Sequence, residues 1–242
     1  YATGLDDGCT LIYDISTLPP TVKCKLQDHT MAVYSTAFHP NIPLFATGSE
    51  DKSSILYNIL TFPPTIKYHL SDHIMDVYSV AFHSTLAFFA TSSEDISIML
   101  YNISTPTLIV KYRLQHHSDS ICSIAFHPSQ QILGTSSMDK STIIYDISTS
   151  PPSIKYHLKN HRKFVNCVAF HPNLFLFATC SGDASTILYD LSTSPPTIKY
   201  HINRYLNDHD ESVSCVAFHP HLSLFATGLQ NGSAMLYNFE KM

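Results

Sequence analysis

The chain contains no tryptophan, 7 glycines and little charge: Asp, Glu, Lys and Arg make up 14% of its 242 residues, against 44% apolar residues. So apolar a composition excludes an intrinsically disordered chain, and the length suffices to bury a sizeable core. The 14 basic residues are spread evenly and the net charge is −5, so no basic stripe exists to neutralise phosphates. Direct nucleic-acid binding is therefore not expected. No stretch approaches the ~18 consecutive apolar residues of a membrane-spanning helix, so membrane insertion is not expected either. The few glycines form no phosphate-cradling loop, and no Gly-x-Ser-x-Gly elbow occurs. Six cysteines (Cys9, Cys24, Cys122, Cys167, Cys180 and Cys215) make no Cys-x-x-Cys pair and no Cys/His finger spacing. They read as free thiols in a reducing compartment, which predicts a cytoplasmic location. A signal peptide is lacking, and the chain opens at Tyr1 inside a repeating pattern. The expectation is a single domain over 1–242, cut at its N-terminus from a longer chain.

What is present is a repeat. Ala-Phe-His-Pro or a near match stands at Ala37–Pro40, Ala81–Ser84, Ala125–Pro128, Ala169–Pro172 and Ala217–Pro220, at offsets of 44, 44, 44 and 48. Tyr followed by Asp or Asn recurs at Tyr13, Tyr57, Tyr101, Tyr145, Tyr189 and Tyr237 with the same period, the extra residues falling near Asn203–Leu206. Within one period four short apolar or alternating runs read as strands: Val77–Phe82, Leu86–Thr91, Ser97–Tyr101 and, in the linkage before them, Thr65–Leu70. Pro-Pro pairs such as Pro63-Pro64 cannot donate ladder hydrogen bonds and belong in the connection ahead of the fourth strand. Helical patterning is absent. Four antiparallel strands repeated every 44 residues predict an all-β fold, a β-propeller of four-stranded antiparallel blades. Counting gives 22 strands and six visible blades, the first lacking its inner strand and the last its rim strand. The rim strand carries Lys23, Lys67, Lys111, Lys155 and Lys199 at one equivalent position, where lysine discourages edge-to-edge pairing.

The order His29, Val33–Phe38, Phe45-Ala46-Thr47-Gly48-Ser49, Asp51, Ile55-Leu56-Tyr57-Asn58 recurs in the other copies, with 22 residues from His to acid each time. In these residues the chain resembles the WD-repeat β-propeller family over essentially its whole length. The resemblance implies a buried hydrogen-bonded tetrad in each blade. Its members would be His29, Thr47, Asp51 and Tyr57; His73, Thr91, Asp95 and Tyr101; His117, Thr135, Asp139 and Tyr145; His161, Thr179, Asp183 and Tyr189; and His209, Thr227, Asn231 and Tyr237. An imidazole out of water needs a partner for each ring nitrogen, and a carboxylate and a hydroxyl supply them. Two departures stand out: Tyr occupies the family's Trp position in every copy, and Asn231 replaces the acid in the last.

Fifteen histidines invite a metal or acid–base reading. Five are tetrad residues, five follow Ala-Phe at a turn, and three recur on the rim strand, so they are spread blade by blade and do not converge as zinc ligands must. No catalytic, cofactor or metal site is expected. Function should lie where the copies differ: after the tetrad His (Met31, Met75, Asp119, Lys163 and Phe164, Glu211) and before the tetrad acid (Glu50, Glu94, Met138, Gln230). The resemblance implies that both loop sets share one face of the blades, and loops on a rigid frame are the usual place of recognition. Exposed Met and Phe in polar surroundings fit a peptide or protein contact. The expectation is a non-enzymatic protein-interaction scaffold, a subunit of a multiprotein complex. The alternatives are a hydrolase-like or metal-binding propeller using His116, His117, Glu50 and Glu94, and an architectural role through the lysine-bearing rim.

Overall fold

A computed structural model of the chain describes residues 1–202 and 211–241. The insertion near Asn203–Leu206 and the tetrad candidate His209 lie outside the described residues. Those described form 22 strands and no helix. The fold is all-β, a β-propeller of six antiparallel blades, four with four strands and two with three. The chain divides into two compact units, Tyr1–His116 and His117–Met242.

In the first unit, β1 (Ala2–Gly4), β2 (Thr10–Asp14) and β3 (Thr21–Leu26) make a three-stranded blade without an inner strand. The second blade is β4 (Val33–Phe38), β5 (Leu44–Ser49), β6 (Ser54–Asn58) and β7 (Thr65–Leu70). The third is β8 (Val77–Phe82), β9 (Phe88–Ser93), β10 (Ile98–Asn102) and β11 (Val110–Leu114). In the second unit, the fourth blade holds β12 (Ile121–Phe126), β13 (Ile132–Ser137), β14 (Thr142–Asp146) and β15 (Ser153–Leu158). The fifth holds β16 (Val165–Phe170), β17 (Leu176–Ser181), β18 (Thr186–Asp190) and β19 (Thr197–Ile202). The sixth ends with β20 (Val213–Phe218), β21 (Leu224–Leu229) and β22 (Ala234–Asn238). Two strands shift from the sequence reading: β9 runs Phe88–Ser93 and not Leu86–Thr91, and β10 runs Ile98–Asn102 and not Ser97–Tyr101. β9 begins at Phe88 because the Phe88 N–H bonds back to the Leu86 carbonyl at 2.7 Å, closing a tight turn ahead of the ladder.

Middle strands are buried on both faces and outer strands on one. β5 and β13 are buried throughout, whereas β7 keeps only Leu70 fully inside. Hence the middle strands read as runs of small and apolar residues and the outer ones alternate. Ala46 and Leu56 of the second blade pack on Val77, Val80 and Phe89 of the third. Ile132 and Ile144 of the fourth pack on Val168, Phe170 and Phe177 of the fifth. Each such side chain taken out of water contributes about 1.5–3 kcal/mol. Close approach of neighbouring blades needs small residues: a Cβ on Gly48 would stand 2.9 Å from both Val77 and Val80.

A second histidine series holds the turn between the first and second strands. His39 Nδ1 accepts the N–H groups of Asn41 and Ile42, both at 3.1 Å, and His171 Nδ1 those of Asn173 and Leu174 at 3.1 and 2.9 Å. His83, His127 and His219 do the same in their blades. An Nδ1 that accepts carries no proton, so the ring is neutral. Burial lowers the pKa of His39, with a further push from His83, and burial lowers that of His171. The turn between second and third strands imposes a different constraint: its third residue takes positive φ, at Lys52 (70°), Ile96 (61°), Lys140 (69°) and Ala184 (62°). In the first and last blades glycine sits there, at Gly8 and Gly232. That conformation costs an L-residue about 1–2 kcal/mol, and a β-branched one sits in it least comfortably.

Two outcomes are expected. Ile96→Asn, which suits positive φ, raises stability by about 1 kcal/mol, measured by urea unfolding. Because the folded pKa values of His39 and His171 lie below the unfolded one, their contribution is complete above about pH 6.5 and declines as pH falls below it. Unfolding free energies measured from pH 8 to pH 5 decline over that window, and the decline shrinks in His171→Gln.

Candidate functional site

Each complete blade carries a buried polar cluster between its middle strands and the loop that enters its first strand. His29 Nδ1 lies 2.8 Å from Asp51 Oδ2 and its Nε2 2.7 Å from the Thr47 hydroxyl. The same pair of distances is 3.0 and 2.8 Å at His73, 2.8 and 2.8 Å at His117, and 3.1 and 2.7 Å at His161. With the Nδ1 proton given to the carboxylate, the threonine hydroxyl donates to Nε2. Backbone N–H groups of Thr30, Ile74, Ser118 and Arg162 complete the carboxylate's shell from the next residue along.

A serine that the sequence reading did not assign joins every cluster. Ser53, Ser97, Ser141 and Ser185 donate to the free carboxylate oxygen at 2.5–2.6 Å and lie 3.1–3.3 Å from the histidine Nδ1. Its signal was available as Asp-x-Ser at each turn. Burial alone would raise the carboxyl pKa values, but the bonds from serine, histidine and backbone outweigh it. Asp51, Asp95, Asp139 and Asp183 are all held below the ordinary carboxylate range.

The tyrosines of the complete blades bring the cluster a further partner. Their rings are fully buried, yet the hydroxyls of Tyr57 and Tyr101 donate to Asp28 at 3.1 Å and Asp72 at 2.9 Å, and that of Tyr189 to Asn160 at 3.1 Å. A phenol hydroxyl can take more than one partner, so those of Tyr57, Tyr101 and Tyr189 stay in hydrogen-bond contact with Thr47, Thr91 and Thr179 while donating to the residue preceding the histidine. Burial, then the neighbouring acids, raises the Tyr57 and Tyr101 pKa values. In the last blade Tyr237 donates to the Met235 sulfur at 3.2 Å, and the side-chain oxygen of Asn231 accepts from Ser233. Thr227 is buried there. In the first blade the Thr3 hydroxyl, sister to Thr47, is buried with no partner among the described residues.

Above these clusters the two variable loop sets meet within each blade. The N–H of Glu50 donates to Ala32 O, that of Glu94 to Asp76 O, that of Met138 to Ser120 O, that of Gly182 to Phe164 O, and that of Gln230 to Ser212 O, at 2.9–3.0 Å. So Glu50 lies by the Met31 loop, Glu94 by the Met75 loop, Met138 by the Asp119 loop, and Gln230 by the Glu211 loop. Lys163 and Phe164 flank Gly182, and the Phe164 ring covers that glycine. Met31, Met75, Met138 and Phe164 remain 45%, 39%, 42% and 40% exposed. Asp119, Lys163 and Gln230 are exposed, and Glu50, Glu94 and Glu211 partly so.

The structure adds residues beside these loops. A bulge in each of β4, β12, β16 and β20 skips one residue, and β8 repeats it: Tyr34, Tyr78, Cys122, Asn166 and Ser214. A bulge re-aims the residue it skips. Tyr34 and Tyr78 lie 5.6 Å apart between ring centres, and Asn166 reaches Ser212 and Val213 of the next blade. Burial, then Glu50 and Asp76, a hydrogen bond with Glu50, and Asp6 push the Tyr34 pKa up. The position differs from copy to copy, which was the sequence signal for it.

The repeat profile described as "WD domain, G-beta repeat" matches residues 20–58, 64–102, 109–146, 152–190 and 201–238. The chain is a WD-repeat protein. No curated protein matches it. Among the described residues of this WD-repeat protein, no group of three or more His, Cys, Asp or Glu is placed to hold a metal ion. His117, half of the one adjacent histidine pair, gives both ring nitrogens to its own blade. No described helix is long and apolar enough to cross a membrane.

Asp95 accepts from His73, from Ser97 and from the N–H groups of Ile74 and Ser97, so Asp95→Ala strands three buried donors and one partly buried one. The expected loss is about 3 kcal/mol, read as a lowered urea midpoint, with Ser97→Ala costing about 1 kcal/mol.

Proposed function

We propose that this WD-repeat protein is a non-enzymatic scaffold that docks a protein or peptide partner on its variable loops, as one subunit of a larger assembly. WD-repeat propellers are in general interaction scaffolds, and the observation that carries the reading here is the pairing of the two loop sets. The same main-chain bond in the second to sixth blades holds side chains that differ from blade to blade, with large apolar ones left in water. In the first unit those loops carry Asp6, Glu50, Asp76 and Glu94 around Tyr34, Tyr78, Met31 and Met75, with Lys52 as the cation. Such a surface suits a segment that brings Lys or Arg together with apolar side chains. Free thiols at all six cysteines suit a reducing compartment, the cytoplasm.

The test places a photo-crosslinking amino acid at Met31, Met75 or, on the outer strand, Lys67. Adducts with the same cellular protein at Met31 and Met75, lost on Glu50→Lys with Glu94→Lys, support loop docking. Adducts at Lys67 that ignore those charge reversals overturn it in favour of the rim.

A further inference from the structure

At the first paired position after the bulge, sister blades join Ser35 to Gly48, Ser79 to Ser92, Ser123 to Ser136 and Cys215 to Gly228. Blade five alone places sulfur on both strands, pairing Cys167 of β16 with Cys180 of β17. We propose that Cys167 and Cys180 form an oxidation site, closed by hydrogen peroxide into a cross-strand disulfide and reopened by thiols. This goes beyond the docking reading and does not depend on it.

The strand pairing suits a bridge. Directly paired residues of an antiparallel ladder have Cα atoms about 4.5–5.5 Å apart, within the roughly 4.4–6.8 Å that a disulfide spans, so the backbone need not move. Both side chains face the packing between blades five and six: Cys180 belongs to the apolar cluster with Val213, Val216 and Phe225, and Cys167 is packed against it. The Cys180 thiol neighbours the Cys167 sulfur, and each acts on the other's acidity. Ser123 of blade four donates to that same sulfur at 3.9 Å. The Cys180 thiol and the Ser123 hydroxyl draw the Cys167 pKa down against its burial, to about 7, while as a thiol Cys167 donates to the Val168 and Val216 carbonyls at 3.8 and 3.9 Å. Cys180 moves the other way: burial, then its bond to Cys167, raises it. One sulfur is thus prepared to attack and its neighbour to resolve. Of the pair, Cys167 is the residue that keeps some exposure, while Cys180 is fully enclosed.

The step balances as follows. The Cys167 thiolate attacks one peroxide oxygen, the O–O bond breaks, and the leaving hydroxide takes up the thiol's proton as water. Cys167 is now a sulfenic acid. The Cys180 sulfur attacks it, the S–O bond breaks, and a second water leaves with the Cys180 proton. Two thiols lose two electrons in all, and hydrogen peroxide becomes two waters.

The experiment uses the reduced full chain, treated with hydrogen peroxide, blocked with N-ethylmaleimide and mapped by peptide mass spectrometry. A Cys167–Cys180 link is expected, with two fewer free thiols, reversed by dithiothreitol and retained in Cys215→Ser. Cys180→Ser and Cys167→Ser carry residues that sister blades already accommodate, and circular dichroism checks their fold. Cys180→Ser loses the link and accumulates dimedone-reactive sulfenic acid at Cys167, and Cys167→Ser loses both signals. Retention of all six thiols, a link made through Cys215, or a Cys180→Ser protein without dimedone label at Cys167 overturns the proposal.

Discussion

The buried imidazole between a carboxylate and a threonine hydroxyl is the constraint on which each of the four complete blades depends. It ties the loop before the first strand to the end of the second and the turn before the third, three segments separated by 18 and 22 residues in sequence. Every donor and acceptor in it must be matched, because an unmatched one in so enclosed a place would cost more than a matched one contributes. That arithmetic explains the serine two residues beyond the acid: the carboxylate has a second oxygen that solvent cannot reach, and the serine hydroxyl fills it. It also explains why the residue between them accepts a left-handed backbone, since the turn has to deliver the serine back to the carboxylate.

Histidine serves two opposite ends of each blade by two different means. In the cluster both ring nitrogens meet side chains from distant parts of the repeat. At the other turn one nitrogen collects two backbone N–H groups from the residues immediately following it, while the ring rests against the next blade's phenylalanine, as His127 does on Phe170 at 5.2 Å. The first use joins segments within a blade; the second shapes a turn and packs it on its neighbour within the same unit.

Strand number, blade boundaries and the incomplete first and last blades were legible in the sequence because the 44-residue period carries them redundantly. The 22-residue interval from histidine to acid was legible for the same reason. What the period hides is anything constant whose role needs three dimensions. Ser53 and its sisters looked like ordinary turn residues, and only the direction of the free carboxylate oxygen shows why they recur. The tyrosine's place beside the threonine was implied by the resemblance, whereas its second contact, to Asp28, Asp72 or Asn160, depends on the direction in which the phenol hydroxyl leaves the ring. Tyr34 and its counterparts were passed over because they lie inside a strand, where alternation predicts a side; a bulge changes that side without any mark in composition.

The main-chain bond that joins the two loops of each blade asks nothing of the side chain that makes it. Glutamate, methionine, glycine and glutamine all supply the N–H at the same place. Proline alone lacks that hydrogen and is barred. Substitution at Glu50, Glu94, Met138 and Gln230 is therefore close to free for the framework, whereas at Gly182 the Phe164 ring would have to move; binding preferences could be rewritten blade by blade while the folding information, carried by other residues, stays untouched.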